Sequence, residues 1–275
     1  MGGGQMLQIL EKLLSAENIT EWGVCNLEDT LPLLDCAAKN RLPKDSRSVI
    51  VTLFPYKLES YPEHNISKYA VVPDYHRVCT QKLDRVCEGL KKAYPQNNFV
   101  SFADNSPIRE VNAATLAGVG VRGKNGLLIN KTYGSYVFIA EIVTDLSVSA
   151  SMPNLDSCFE CAMCARACPT YAIVNGKIDE QKCLSYITQK KGTLSIEEQD
   201  LIRKSGIIWG CDICSDICPM NKAAKPTNIK EFQTDIIYKV DYPENNREIK
   251  DRAFGFRGAE VIRRNLDLIN QEGKR

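Results

Sequence analysis

The stretch CFECAMCARACP, residues 158–169, spaces four cysteines as C-x2-C-x2-C-x3-C and ends in proline. This spacing lets the first three thiolates bind one [4Fe–4S] cubane, while the fourth, followed by proline, binds the other cubane of a pair. A second, shorter run, CDICSDICP at residues 211–219, supplies three more cysteines, and Cys183 lies between the runs. The segment therefore holds eight thiolates, the number that two [4Fe–4S] clusters require.

The crossover between the two runs predicts which cysteines share a cluster. One cluster takes the first three cysteines of the first run and the last cysteine of the second run: Cys158, Cys161, Cys164 and Cys218. The other takes the remaining four: Cys168, Cys183, Cys211 and Cys214. Zinc also binds four cysteines, but the paired Cys-Pro endings favour cubanes. Two cubanes with crossed ligands must lie close together and form an electron relay. Three destinations for the electrons stay open: a plain carrier, a subunit of a larger oxidoreductase, or an enzyme with its own electron acceptor.

The rest of the composition describes an ordinary globular chain. It has 275 residues with 35 basic and 34 acidic side chains, so no overall charge indicates nucleic acid. The N-terminus lacks the features of a signal peptide, and no run approaches the roughly 18 apolar residues of a membrane span. We therefore predict a cytoplasmic protein with no membrane partner. Cysteines outside the cluster segment are predicted to pack as small apolar side chains: Cys25, Cys36, Cys79 and Cys87.

The pattern of apolar residues predicts three parts. Residues 1–147 alternate helices (7–14, 77–93, 110–117) with strands (48–54, 98–103, 126–130, 136–143) and lack a dinucleotide-binding glycine fingerprint. This predicts an α+β domain that precedes the double-cluster segment, residues 148–225. Residues 226–275 are predicted to form a helical segment that packs on the core, with a helix over 258–270.

Motifs in all three parts resemble those of the epoxyqueuosine reductases, and the resemblance covers roughly residues 7–270. The matching pieces include Asp74-Tyr75-His76, Asp104-x2-Pro107-x2-Glu110, Gly118-x-Gly120-x2-Gly123-Lys124-Asn125, Tyr133-Gly134-Ser135, Lys182-Cys183-Leu184-Ser185-Tyr186 and Phe256-Arg257-Gly258. The reductive dehalogenases share the same pairing of domains.

The resemblance implies a fold, a cofactor and a reaction. It implies a nitroreductase-like cobalamin-binding domain followed by a ferredoxin-like double [4Fe–4S] domain, in an oxidoreductase that converts epoxyqueuosine to queuosine in the anticodon stem-loop of tRNA. Electrons would come from an external low-potential donor. By the same mapping Asp104 is the catalytic proton donor, and the residues that line the corrin are Gly123, Lys124, Asn125, Leu128, Ser135 and Ile139. His76 is predicted to be a structural partner and not a cobalt ligand.

The sequence also departs from the family's pattern. Val121-Arg122 replaces a usual Trp, Pro73 replaces a frequent basic residue, and the HEAT-like C-terminal extension that helps to hold tRNA is missing. Two other functions therefore stay open: a cobalamin-dependent reductase of a small epoxide or organohalide, and a ferredoxin-like electron carrier or corrinoid-handling protein. The basic residues near the C-terminus could contact RNA phosphates or form a solvated helix face: Arg257, Arg263 and Arg264.

Overall fold

The computed structural model describes residues 3–154 and 156–270, and an antiparallel sheet lies at its centre. The predicted domains also include residues 1–2, 155 and 271–275, which lie outside the described residues. The strands are β1 (Glu21–Asn26), β2 (Ser48–Pro55), β3 (Phe99–Ala103), β4 (Val121–Arg122), β5 (Leu128–Ile129), β6 (Val137–Thr144), β7 (Ile173–Val174) and β8 (Lys177–Ile178). Four of them form the central sheet, in the order β1-β2-β6-β3, and every neighbouring pair is antiparallel.

The strand β2 is the most buried part of the sheet. All of its residues are buried, because β2 has a strand on each side and apolar layers on both faces. The strands predicted over 48–54, 98–103 and 136–143 are found within a residue of their predicted ends. The strand predicted over 126–130 is only two residues long, because Asn130 turns the chain: its side-chain oxygen accepts hydrogen bonds from the backbone amides of Thr132 and Tyr133. Strand β1 was not predicted, because apolar and polar residues do not clearly alternate along it.

Helices cover both faces of the sheet. They are α1 (Gly3–Ala16), α2 (Lys68–Val71), α3 (Tyr75–Ala93), α4 (Glu110–Leu116), α5 (Met163–Ala167), α6 (Leu184–Gln189), α7 (Ile196–Ser205), α8 (Ile213–Asp216) and α9 (Ala259–Asn270). The four helices predicted from periodicity correspond to α1, α3, α4 and α9. On one face, Leu10 and Leu14 of α1 pack with Leu83 and Leu90 of α3 in the main core, because a spacing of three, four or seven residues puts apolar side chains on one side of a helix. The α+β prediction is confirmed.

The opposite face of the sheet carries a second core under α4. Ala113 and Ala114 of α4 lie over Val51 and Leu53 of β2 and over Phe102 of β3. Small alanine side chains let the helix approach the sheet closely. This packing fixes the loop between β3 and α4, which contains Asp104.

The chain beyond the cluster segment returns to the main core. Phe232 and Phe254 are buried there, and α9 contributes Ile262 and Leu266. Helix α9 also contacts α6 and α7 of the cluster segment. The C-terminal segment therefore packs against both the N-terminal sheet core and the cluster segment.

The scattered cysteines mostly pack as expected. Cys25 and Cys79 are buried and Cys87 is half-buried, but Cys36 is exposed. The prediction was wrong for Cys36, because this residue precedes a single 3-10 turn at the surface and not an element with an apolar face. Within residues 3–154 and 156–270, no helix is long and apolar enough to cross a membrane.

Candidate functional site

The eight cysteines of the cluster segment line two separate cavities. The first cavity is lined by Cys158, Cys161, Cys164 and Cys218. The second cavity, of about 260 Å³, is lined by Cys168, Cys183, Cys211 and Cys214. These groups are the two sets that the crossover predicts, and the assignment of each cysteine to a cluster stays a prediction. Four thiols around each cavity are a donor set that fits two [4Fe–4S] clusters.

Local backbone conformation explains how each run serves both cavities. Glu160 and Ala162 adopt left-handed φ angles of 51° and 55°, which curl the chain around the first cavity. Helix α5 then begins, and Cys168 follows its C-terminal end; Cys218 follows α8 in the same way. Because α5 packs against α8, the last cysteine of each run is carried away from its own loop to the other cavity.

The N-terminal domain forms one wall of the second cavity. Tyr56 and Tyr69 line it together with Asn125 and Leu127. The two sides are joined by hydrogen bonds: the indole Nε1 of Trp209 donates to the Tyr69 hydroxyl at 2.7 Å, and the backbone amide of Lys68 donates to Asp212 Oδ2 at 2.8 Å. A cluster in this cavity would therefore lie against the N-terminal domain.

The turn over residues 123–127 reaches both cavities. It is closed by hydrogen bonds from the Gly123 amide to the Leu127 carbonyl and from the Gly126 amide to the Gly123 carbonyl. Lys124 lines the first cavity and pairs with Glu160, with 3.0 Å between Nζ and Oε1. Asn125 is buried and lines both cavities. The turn therefore lies beside the cluster cavities, and its predicted contact with a corrin stays a prediction.

The other three predicted corrin contacts do not lie on the same surface as the turn over residues 123–127. Leu128 is 3% exposed and packs in the second core, and Ser135 is 5% exposed. The Ser135 hydroxyl accepts a hydrogen bond from Asn221 Nδ2 at 2.7 Å. Ile139 is half-buried on β6. In this conformation the side chains of Leu128 and Ser135 offer almost no surface to a cofactor.

Asp104 stands in a carboxylate–imidazole–carboxylate arrangement. It directly follows β3, has a left-handed φ of 68°, and its side chain is 57% exposed. Its Oδ2 lies 3.0 Å from Nε2 of His76, and the Nδ1 of His76 lies 2.7 Å from Oδ1 of Asp74. Burial lowers the pKa of His76, but the hydrogen bonds to Asp104 and Asp74 outweigh it and raise the pKa to about 9. At neutral pH an imidazolium therefore donates to both carboxylates.

Asp104 and the second cavity face the same cluster of aromatic rings. The ring of Tyr75 stacks on that of Phe138 with 4.0 Å between centroids, and Tyr69 packs edge-on to both. Burial raises the pKa of Tyr69, and the nearby carboxylates of Asp212 and Asp104 raise it further. Asp104 reaches this aromatic cluster through His76, whose ring stacks on that of Tyr75 with 4.0 Å between centroids.

Sequence reasoning missed two groups around Asp104. Asp74 caps α3, since its Oδ1 accepts from the backbone amide of His76 at 3.1 Å. The Asp-x-His spacing was the available indication, because a capping side chain faces the residue two positions on. Glu110 and Glu141 also approach the loop of Asp104, from α4 and β6. They lie far apart in sequence, so no local pattern connects them.

Two family models match the chain. A model described as a 4Fe-4S double cluster binding domain matches residues 157–221. A model described as epoxyqueuosine reductase QueG, DUF1730, matches residues 37–105. The first match covers both cysteine runs and describes a double [4Fe–4S] domain. It therefore argues against the zinc alternative.

Known proteins resemble most of the chain. An epoxyqueuosine reductase of Lactococcus garvieae is 32% identical over 254 residues, which cover 85% of this chain and 71% of the relative. The structure of an epoxyqueuosine reductase with an epoxyqueuosine-modified tRNA-Tyr stem loop is 25% identical and covers 96% of this chain and 81% of that one, with a TM-score of 0.80. The Bacillus subtilis epoxyqueuosine reductase, solved with its Asp catalytic loop swung out of the active site, is 25% identical with a TM-score of 0.78, and covers 96% and 81%.

A more distant neighbour shares only the fold. A reductive dehalogenase studied for B12-dependent dehalogenation is 18% identical, with a TM-score of 0.52, and covers 94% of this chain and 36% of its own. The relation to the epoxyqueuosine reductases is closer, and it runs through the sheet domain, both cysteine runs and the C-terminal segment. This chain belongs to the epoxyqueuosine reductase family.

Proposed function

We propose that this protein is an oxidoreductase that reduces epoxyqueuosine to queuosine in tRNA, with two [4Fe–4S] clusters and cobalamin as cofactors. The observation that carries the proposal is the joint placement of a cluster cavity and Asp104 around one aromatic cluster of the N-terminal domain. An electron source and a proton donor then face the same region.

The reaction needs both electrons and protons. Loss of the epoxide oxygen as water consumes two electrons and two protons and leaves a carbon–carbon double bond. The clusters would deliver electrons one at a time, the second cavity being nearer to the N-terminal domain. Cobalamin, when bound, would supply a strongly reducing cobalt centre for this reduction.

Exposed apolar side chains beside the second cavity offer a surface on which a corrin ring would pack. Leu127 is 38% exposed, and Ile178 and Ile213 are each 37% exposed, an unusual exposure for apolar side chains that line one cavity. We propose that Lys124, Asn125 and Ile139 hold the cofactor's edge: Lys124 through an amide or phosphate oxygen, Asn125 through its side-chain amide, and Ile139 by apolar contact.

Asp104 and His76 would supply protons to the substrate. Asp104 is exposed enough to reach a substrate, and we propose that it protonates the leaving oxygen with a proton that it first takes from the His76 imidazolium. His76 is hydrogen-bonded to Asp104 and carries a proton at neutral pH, so it can restore the proton that Asp104 gives away. Asp74 keeps the imidazole oriented.

The partners follow from the substrate. The relative solved with a modified stem loop supports a tRNA anticodon stem-loop as substrate, and a tRNA substrate would place the reaction in the cytoplasm. An external low-potential donor must refill the clusters. The basic residues near the C-terminus are partly engaged within the chain, because Arg263 donates to the Pro243 carbonyl and Arg264 to the Lys190 carbonyl. We therefore do not assign RNA phosphates to these two side chains.

The test is an anaerobic assay with protein reconstituted with iron, sulfide and cobalamin, a chemical reductant, and an anticodon stem-loop that contains epoxyqueuosine. We expect queuosine to form with the wild-type protein, and the Asp104→Asn variant to lose at least about 100-fold in rate, in line with removal of a general acid. Asp241→Asn, an exposed acid elsewhere, is the control and should keep full activity. Absence of corrinoid binding with both clusters intact would contradict the proposal, as would full activity of Asp104→Asn.

A further inference from the structure

The turn that precedes α9 holds an aromatic ring at the surface. Residues Gly255–Arg257 form a single 3-10 turn in which the side chain of Phe256 is 62% exposed, whereas Phe254 is buried in the main core. The backbone of this turn is tightly packed, because a Cβ on Gly255 would lie only 2.2 Å from the carbonyl oxygen of Ile249. The exposure of Phe256 is therefore a property of an anchored turn.

Two neighbours fix the orientation of the Phe256 ring. The guanidinium of Arg257 lies over the ring, with 4.7 Å between Cζ and the ring centroid. The indole of Trp209, which is fully buried, packs edge-on with the same ring at 5.9 Å between centroids. Because the ring is already ordered by these contacts, a flat ligand that packs on it would lose little binding energy to ordering the side chain.

Arg257 has hydrogen-bonding capacity that the chain leaves unused. Its Nε has no hydrogen-bond partner among the described residues. Between residues 241 and 270, the ion pairs of the described chain are formed by Asp251 and Arg252 and do not use Arg257. Arg263 and Arg264 donate to backbone carbonyls. A guanidinium is the side chain best suited to phosphate oxygens, so Arg257 is the arginine of this segment that is free to bind one.

The residues just before the turn pack beside the site that contains Asp104. The backbone amide of Asp74 donates to the Asp251 carbonyl at 3.3 Å, and Nη1 of Arg77 lies 3.0 Å from Oδ1 of Asp251. Asp74 in turn orients the imidazole of His76. The segment that carries Phe256 is therefore attached to the start of α3, next to the residues that would protonate the substrate.

A second path of contacts joins the exposed ring to the second cavity. Trp209 packs with Phe256, and its Nε1 donates to the hydroxyl of Tyr69, which lines that cavity. Tyr69 packs edge-on to Tyr75, and the Tyr75 ring stacks on that of His76. Phe256 therefore lies at the surface beside the region in which electrons and protons would reach the substrate.

The chemistry of this surface fits an unpaired nucleotide. Unpaired RNA bases stack on aromatic rings, and arginine binds the phosphate beside them. When one nucleotide of an anticodon loop is held at the reaction site, its unpaired neighbours must lie on the surrounding surface. We propose that Phe256 and Arg257 bind one such neighbour, with its base on the Phe256 ring and its phosphate at Arg257. This inference rests on the proposed function for the identity of the RNA.

Binding of a fluorescein-labelled stem-loop that contains epoxyqueuosine tests the base contact. By fluorescence anisotropy on the cluster-loaded protein, Phe256→Leu, which keeps an apolar side chain without a ring, should raise the Kd about tenfold, as expected for one stacked base. Phe256→Tyr should bind like the wild type. Ile196→Ala removes another exposed apolar side chain and is the control. The iron content of each variant shows that it is folded and loaded.

Abasic stem-loops identify the stacked base. At one loop position, removal of the base should weaken binding to the wild type about tenfold and should have no further effect in Phe256→Leu. Additive losses at every loop position would contradict the proposal.

The salt dependence of binding tests the phosphate contact. Loss of one contact to a single-stranded phosphate should make the slope of log K against log salt concentration shallower by about 0.7. We expect this change in Arg257→Gln. Arg47→Gln is the matched control and should keep the wild-type slope, because Arg47 is exposed and precedes β2 at the end opposite to Tyr56 and the second cavity.

The two proposals fail in different ways. If the wild type binds the stem-loop with these contacts but does not reduce it, the proposed function is wrong and the nucleotide contact stands. If it reduces the stem-loop while Phe256→Leu and Arg257→Gln keep the wild-type affinity and slope, the function stands and the contact is wrong. Slower reduction of the clusters by a protein donor in those variants would then assign the surface to that donor. A wild type that does not bind the stem-loop would overturn both proposals.

Discussion

The side chain of His76 connects two acids that the chain brings together from different elements. Asp74 precedes α3 and Asp104 follows β3, and the imidazole lies between them at 2.7 and 3.0 Å. This arrangement raises the pKa of His76 to about 9 in spite of partial burial. The chemistry at this site is therefore a property of three residues and not of Asp104 alone.

The stability of the protein should change with pH through His76. A histidine whose folded pKa is raised stabilises the folded state fully below its unfolded pKa of about 6.5, and this contribution is lost as pH rises through about 9. We therefore expect the difference in unfolding free energy between the wild type and His76→Gln to be largest near pH 6 and to shrink towards pH 10. Urea denaturation under anaerobic conditions at four pH values would measure it. A difference that does not change with pH would mean that the ion pairs with Asp74 and Asp104 are not formed in solution.

Helix α3 depends in two ways on Asp74, the residue that precedes it. Asp74 caps the helix through the backbone amide of His76, and the same oxygen orients the imidazole ring. The cap and the catalytic geometry are thus supported by one side chain, so substitutions at position 74 can separate the two roles.

We expect Asp74→Ala and Asp74→Asn to behave differently. Alanine removes the cap and should lower the unfolding free energy by about 1 kcal/mol. Asparagine is an equally good capping residue, so it should keep most of that stability while removing the negative charge and lowering the pKa of His76. Thermal denaturation measures the first effect, and NMR titration of the His76 ring protons measures the second. Equal stability of the two variants would show that the cap contributes little.

At the scale of the whole molecule, the cysteines of one run serve two clusters. Cys218 belongs to the second run but lines the first cavity with Cys158, whereas Cys214 lines the second cavity. Double substitutions of cysteines therefore distinguish crossed from uncrossed ligation. Two substitutions that remove ligands of the same cluster should lower the iron content no more than one of them does.

We expect Cys158→Ala with Cys218→Ala to leave one cluster, and Cys158→Ala with Cys214→Ala to affect both. Iron analysis after reconstitution should give about eight irons for the wild type and about four for the first double variant, with fewer for the second. EPR spectra of the reduced proteins should show one remaining cluster in the first case. Equally low iron contents in the two double variants would support uncrossed ligation, because Cys214 and Cys218 would then both bind the cluster of the second run.

Features that depend on residues close together in the chain could be predicted from the amino-acid sequence. The cysteine spacing predicted a double-cluster segment because three thiolates in a short loop can only reach one cubane, and β2 was predictable because its β-branched residues are buried on both faces. The four amphipathic helices were visible through their apolar spacing, which depends on residues close in the chain. The motif around Asp104 could be recognised, since it is also local.

The surroundings of these local features came from the packing of the folded chain. It placed Leu128 and Ser135 inside the protein, and it brought Asp74 and His76 against Asp104. It also brought Glu141 of β6 against Ser106 of the loop between β3 and α4, across 35 positions of sequence. These contacts depend on how α3, α4 and β6 pack around the sheet, and packing joins residues that no spacing rule relates. The physical reason is that burial changes the charge state of a carboxyl or an imidazole, and burial is a property of the folded chain.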